Sequence, residues 1–400
     1  MFIEIHTLTG YSGVLLNRDD RGLAKRLPYG DAVRTRTSSQ FAKKKIRAAA
    51  GEFALSSLGE VSVRSRETFK RKIAEPLIAE GLDADAVIAV TLLVMDTVYK
   101  PSDGAKKLRK EAVSKIAKGE KDRLSVLERG EINVLSTREI AYLKAKIHEF
   151  VIAEADPQKA VAAAKDLLEK DKSETTKNLK DNLKVLGQSM DIDVAMFGRM
   201  VTGDALSVVD AAVHVAHGLT THAQAVETDF FSAVDDLVTG EADQGGGHIG
   251  EVEITSPLLY GYYVIDWKQL LANLGGLDNA EEVAAKLVSN LIWLVSEQVV
   301  GAKKGSTAPY SSADLVMVEI GKAQPRTLAE AFRRKVGPTF EEAVNALGAY
   351  LDGKDRMYGR TPEGRMVAAA AETSPAFGTA TSLPEIARVA ALRLAGAGQA

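Results

Sequence analysis

Between residues 15 and 47 the sequence reads LLNRDDRGLAKRLPYGDAVRTRTSSQFAKKKIR. It holds ten Lys and Arg (Arg18, Arg21, Lys25, Arg26, Arg34, Arg36, Lys43, Lys44, Lys45 and Arg47) against three acids, Asp19, Asp20 and Asp31. The stretch carries +7 in a chain of net charge −3, so the remaining residues together carry −10. Positive charge concentrated on an otherwise acidic protein is the electrostatic footprint of a polyanion binder. Thr37-Ser38-Ser39-Gln40 has the spacing of a capping box and predicts a helix at the end of the stretch. Ala42, Ile46, Ala49 and Phe53 then form one apolar stripe, leaving Gln40, Lys43, Lys44 and Arg47 on the other side. Backbone N–H groups at a helix start attract phosphate. The turn residues Pro28-Tyr29-Gly30 predict that the basic loop folds back over that start.

Residues 222–253 invert this charge. They hold eight acids (Glu227, Asp229, Asp235, Asp236, Glu241, Asp243, Glu251 and Glu253) and no Lys or Arg. Gly245-Gly246-Gly247 marks a turn or hinge, and Phe230-Phe231 with Val234 supplies an apolar tip or edge. Two readings fit. One is an acidic surface hairpin with two core phenylalanines. The other is a projection that lies across a basic groove on a neighbouring copy and pushes an apolar wedge between bases. The second implies head-to-tail contact, and a heterologous interface that does not close builds a filament.

Other chemistry is sparse. The sequence contains no GxxxxGK[ST], no GxSxG and no cysteine, so the common phosphate-loop, serine-hydrolase and thiol sites are absent. His214, His217 and His222 have a spacing that brings imidazoles together for a metal, but no Cys or acidic partner falls in register, and packing or hydrogen bonding is the better reading. Asp19-Asp20 and Asp235-Asp236 offer Mg²⁺ ligands for a nuclease; adjacent acids in a basic loop more often order the arginines around them. No catalytic residue, cofactor or metal site is therefore assigned.

The elements that must position these residues follow from periodicity. At 400 residues and 46% hydrophobic the chain has enough apolar material for more than one core. MFIEIHTLTG alternates as a strand and lacks the basic and apolar regions of a signal peptide. The longest apolar run, residues 87–95, is too short to span a bilayer, so a cytoplasmic protein without membrane contact is expected. Residues 60–190 read as an inserted helical subdomain, with a capping box at Ser136-Thr137-Arg138-Glu139 and a helix start at Asp156-Pro157. Its basic run, residues 106–110, reads as a solvated helix face. Residues 191–200 read as a strand in which Gly198 marks close approach by another backbone or a ligand, and 206–216 as a helix. Strands follow at 250–254 and 258–265, a helix around Val283 to Leu294, a strand at 315–320, and Ala-rich helices with a loose tail to the end. The core order is β-α-β-β-α-β, the ferredoxin-like plan shared by RNA-recognition domains.

Six ordered motifs carry a resemblance. Leu16-Asn17-Arg18-Asp19-Asp20, Arg34 to Gln40, Gly198-Arg199-Met200, Ala216 to His222, Asp229 to Asp236, and Gly301-Ala302-Lys303 with Ala313 to Val318 together resemble CasC, the backbone subunit family of the type I-E CRISPR Cascade complex. The resemblance implies an α+β protein with a right-hand shape. An RNA-recognition-type palm would span 1–59, 191–221 and 254–322, helical fingers 60–190, a β-hairpin thumb 222–253, and C-terminal helices 323–400. It implies several copies stacked along a CRISPR RNA, each thumb kinking the RNA so that target DNA pairs in segments, in a complex with large, small, 5′-end cap and crRNA-processing endoribonuclease subunits. The RNA-backbone contacts it implies are Arg18, Lys25, Ser38, Gln40, Lys43 and Arg47, and the wedge at the kink is Met200 with Phe231 and Ser232. Phe230 stands where the family pattern leads one to expect Trp, and residues 305–309 lack the expected basic, aromatic character. Catalysis in that family belongs to a separate helicase-nuclease. The alternative is a metal-dependent ribonuclease on the same palm, using Asp19, Asp20 or Asp236.

Overall fold

The computed structural model describes residues 1–168, 174–186, 191–201, 205–233, 248–297, 304–360 and 364–395. They fall into two compact units: Met1–Ser57 with Val213–Lys268 and Glu281–Ala400, and Leu58–Ala212 with Gln269–Ala280. In chain order the strands begin with β1 (Phe2–Gly10), β2 (Arg26–Tyr29), β3 (Ala32–Thr37), β4 (Val63–Ser65) and β5 (Asn133–Leu135). They continue with β6 (Val213–Val215), β7 (Gly218–Thr220), β8 (Glu227–Ala233), β9 (His248–Ile254) and β10 (Leu258–Asp266). β11 (Leu315–Gly321), β12 (Arg365–Ala369) and β13 (Thr379–Ala380) complete the set among the described residues.

The first unit is built on a nine-stranded sheet ordered β13-β12-β11-β1-β10-β7-β3-β2, with β6 also paired to β10. β1 lies between β10 and β11 and is antiparallel to both, so Ile3 faces Ile265 on one side and Ile320 on the other. With helix Ser39–Arg47 after β1 and helix Ala280–Ser296 after β10, the α+β fold contains a β-α-β-β-α-β succession whose second strand is β7 and not the predicted 191–200.

Central position explains why β1 is buried on both faces although its sequence alternates. Leu8 shares one face with Tyr260, Leu315, Met317 and Val367, and Leu328, Phe332, Leu347, Leu351 and Phe377 close an apolar core over them. Glu4 and His6 lie on that same face and must be paired, because a buried polar group without a partner is costly. Glu4 accepts from the Tyr262 hydroxyl at 2.6 Å and from the Arg326 N–H at 2.7 Å. His6 Nε2 lies 3.5 Å from Glu319, whose other oxygen accepts from Arg365 Nε at 2.9 Å. Arg365 also bonds Asp355 at 2.8 Å. The C-terminal segment is thus stitched to the sheet by charge as well as by apolar packing.

The second unit is mainly helical. Phe69, Ile73, Leu77, Val87, Val90, Val94, Leu143, Ile147, Leu179 and Leu183 form its core. The predicted capping box starts helix Thr137–Ile152, with Ser136 and Glu139 bonding reciprocally. Asp156 accepts from Gln158 N at 2.8 Å at the start of helix Pro157–Leu168, as its sequence predicts. No helix among the described residues is long and apolar enough to cross a membrane.

Four expectations are corrected. Residues 192–197 form a helix rather than a strand; all six are buried, so no exposed face revealed the period. Residues 206–216 are not helical: Val209 bridges Arg199, and Val213–Val215 is β6. The C-terminal region adds β12 and β13 to the sheet, where Arg365 is buried among acids and breaks any apolar strand pattern. The later part of the basic loop is the antiparallel pair β2–β3, whose two-residue connection is Gly30-Asp31.

Candidate nucleic-acid interface

Charge in the basic stretch divides by burial into two roles. Arg34 is fully buried and donates to the carbonyl oxygens of Thr221 at 2.7 Å and Phe332 at 2.8 Å, with longer bonds of 3.4 Å to Thr220 O, Tyr29 O and Asp31. It pins the β2–β3 pair to the rest of the unit. Arg26 faces Glu253 at 3.5 Å, and Glu253 also accepts from Ala24 N at 2.7 Å, so the base of the acidic hairpin is fastened to the basic loop of its own chain.

The residues singled out for RNA lie around a different feature. Asp19 closes the loop that carries Arg18 and Lys25 by accepting from Arg21 N and Leu23 N, both at 2.9 Å. Lys25 N donates to Asn17 O and Arg36 N to Lys25 O, each at 2.8 Å, which ties the loop to β3. Asn17 then reaches the helix start, its side-chain oxygen accepting from Ser38 N at 3.0 Å. Ser38, buried, is the N-cap of helix Ser39–Arg47, its hydroxyl accepting from Phe41 N at 3.3 Å. The cap is therefore one residue later than predicted, because Thr37 still belongs to β3 and pairs with Gly218. Gln40 is exposed in the first turn, Arg18 is exposed, and Lys25, Lys43 and Arg47 are partly exposed. Ala42 and Ile46 are buried as expected, but the helix stops at Arg47; Phe53 instead stacks on Trp293 at 4.7 Å between ring centroids.

Two further groups sharpen the field there. His217 Nδ1 faces Arg36 at 3.1 Å, and burial, then Arg36 and Lys25, lower its pKa, so the imidazole is a neutral acceptor amid cations. Lys45 is partly buried; burial, then Lys304 and Lys44, push its pKa down. Like charges held this close favour a polyanion between them.

β8 and β9 form a hairpin outside the main sheet. Phe230 and Phe231 are 60% and 38% exposed, which rules out the reading of two core phenylalanines. Phe231 lies opposite Gly250, where an added Cβ would come within 2.4 Å of the ring, so glycine makes room for the aromatic to lie flat across the pair. Glu227, Asp229, Glu251 and Glu253 fall on these strands. The Ser232 side chain, residues 234–247 with Val234, Asp235, Asp236 and the Gly245-Gly246-Gly247 turn, and Gly301-Ala302-Lys303 lie outside the described residues. In the other unit Met200 is 92% exposed directly after the buried Arg199.

Two of the three histidines, His217 and His222, serve structure. His222 Nδ1 bonds Ala223 O at 2.7 Å and its Nε2 accepts from Leu258 N at 3.1 Å, while His217 serves Arg36. Among the described residues one group, Glu4, His6 and Glu319, has the geometry to hold a metal, and it is committed to the arginine and tyrosine pairs inside the sheet. The sequence does not point to the roles of Asn17 and Gly250, or to Arg36 as the partner of His217. Only a cross-strand or loop-to-helix contact reveals them, and no local pattern encodes such a contact.

Comparison with known proteins agrees with this architecture. The family described as CT1975-like protein (Cas_CT1975) matches residues 3–392. A chain titled "CRISPR RNA-guided surveillance complex, pre-nicking" superposes with a TM-score of 0.77 at 24% identity, covering 98% of this chain and 100% of that one. A second, titled "CRISPR RNA-guided surveillance complex", gives 0.55 at 19% identity, covering 98% and 99%. No curated protein matches.

Proposed function

Because the chain belongs to the CT1975-like protein family, we propose that it is a CRISPR RNA-binding backbone subunit of a type I-E Cascade surveillance complex acting in antiviral defence. Copies assemble head to tail as a helical filament along the guide RNA. Arg18, Lys25, Ser38, Gln40, Lys43 and Arg47 hold the RNA backbone. Met200, Phe231 and Ser232 wedge it open at regular kinks, so target DNA pairs with the guide in segments. Its partners are the guide, the target DNA through the hybrid, other copies of itself, and the large, small, 5′-end cap and crRNA-processing endoribonuclease subunits.

The observation that carries this reading is the set of cations gathered around one capped helix, on a chain whose fold matches a surveillance-complex chain over 98% of its length. The exposed Phe230, Phe231 and Met200 add the apolar groups a wedge needs. Single-strand binding has a log–log salt slope of roughly 0.7 per phosphate contact. Replacing Lys43 and Arg47 with Ala should therefore weaken RNA binding and reduce that slope by roughly 1.4. An unchanged slope removes those residues from the interface. The nuclease alternative is tested in parallel by incubating the assembled complex with complementary RNA and Mg²⁺: periodic cleavage lost on Asp19→Ala would favour it. Asp19 is instead occupied in closing its loop.

A further inference from the structure

We infer that Glu139 and Arg199 are positioning residues for Met200, setting the direction in which the wedge meets the RNA. The inference rests on the reading of Met200 as a wedge.

An apolar side chain that is 92% exposed has no packing of its own to fix it, so its direction is set by the backbone beneath it. That backbone is held from three sides. Gly198 adopts φ +74°, and a Cβ there would lie 2.6 Å from Val209 O and 2.9 Å from Ala211 N. The close backbone approach predicted for Gly198 is thus to the segment 209–211. Arg199 exchanges two backbone bonds with Val209, of 2.9 and 3.0 Å. Asn273 Nδ2 joins the same two segments, donating to Ala195 O at 2.8 Å and Asp210 O at 2.9 Å.

Below Met200, Arg199 is 3% exposed and Glu139 0%. Arg199 Nη1 donates to both Glu139 oxygens, at 2.9 and 2.7 Å, and its Nε donates to Ser207 O at 3.0 Å. Glu139 Oε2 also accepts from Ser136 N at 2.8 Å, completing the capping box of helix Thr137–Ile152. One carboxylate thus anchors a helix start and the residue before the wedge. Stability alone does not demand this pair, since apolar residues of similar volume often replace a buried ion pair without loss. What the pair adds is direction, because donor and acceptor fix each other's orientation.

The test uses the full chain bound to guide RNA, with 2-aminopurine placed at each guide position in turn to report unstacked bases. The wild type should show bright positions at regular spacing, and Met200→Ala should dim them. Glu139→Gln, which keeps the cap acceptor, should dim them by about three-fold or more, within the range of coupling between contacting residues. In the Met200→Ala background it should have no further effect. A second variant, Glu139→Gln with Arg199→Met, replaces the ion pair by a neutral, partly apolar one. It should melt near the wild-type temperature while the bright positions fade. Equal dimming by Glu139→Gln with and without Met200 overturns the positioning role, as does undimmed fluorescence in a folded second variant. Wild-type brightness in Met200→Ala instead overturns the wedge reading itself.

Discussion

Replacing Arg34 with Met should damage the fold and leave the RNA interface intact, although charge alone would rank it equal to Lys43. Arg34 makes two short bonds, to Thr221 O and Phe332 O, and three at 3.4 Å. Met fills much of the volume but donates nothing, so at least the two short-bonded carbonyls lose a buried partner at about 1–3 kcal/mol each. Removing a desolvated guanidinium returns part of that cost. Burial is indeed the largest influence on Arg34, lowering its pKa against the pull of Asp31 and Tyr29. The net expectation is a loss of about 2–4 kcal/mol. Lys43→Met, at a partly exposed position, should stay within about 0.5 kcal/mol. Urea unfolding followed by circular dichroism measures both, and fluorescence anisotropy on single-stranded RNA, taken where each variant is folded, gives the salt slopes. Arg34→Met should keep the wild-type slope and Lys43→Met should flatten it. An Arg34→Met variant of wild-type stability, or one with a flattened slope, would refute the division of the basic stretch by burial.

Two further predictions concern the sheet and the hairpin. Burial acts to raise the Glu319 pKa, but the hydrogen bond and charge of His6, then Arg365, outweigh it and hold the group down to about 2 from an ordinary 4.5. A depressed carboxylate stabilises fully above the unfolded value, so this contribution is present above about pH 4.5 and is lost as pH falls towards about 2. Glu319→Gln should flatten that part of the pH profile of urea midpoints, and an unflattened profile would assign it to other groups. Gly250→Ala should push the Phe231 ring aside, because the new Cβ meets it at 2.4 Å. Base unstacking should fall while the melting temperature holds; unstacking at the wild-type level would remove Phe231 from the wedge.

Legibility followed the kind of interaction involved. Helix Ala280–Ser296, which has one exposed side, was legible by its period, whereas β10 and β11, without an exposed face, were legible as short apolar runs of strand length; all three were found close to their ends. Local caps were equally readable at Ser136-Glu139 and Asp156-Pro157, because donor and acceptor lie within four residues. Residues 192–197 failed for the opposite reason, since an element buried all round has no period to read. β12 was missed because its first residue is a buried arginine, made tolerable by Glu319, Asp355 and the Ala376 carbonyl, none of which lies within its own strand. Of the candidate site, the cationic stretch and the apolar pair at 230–231 were plain in the sequence. That Arg34 is internal while Lys43 and Arg47 reach the surface was not, because composition counts charges and burial sorts them.

In the proposed assembly many copies of this chain share one guide RNA. Native mass spectrometry of the chain assembled on guides of increasing length tests it most directly. The number of bound copies should rise stepwise, one for each fixed increment of RNA. A single copy on every guide, whatever its length, would contradict it.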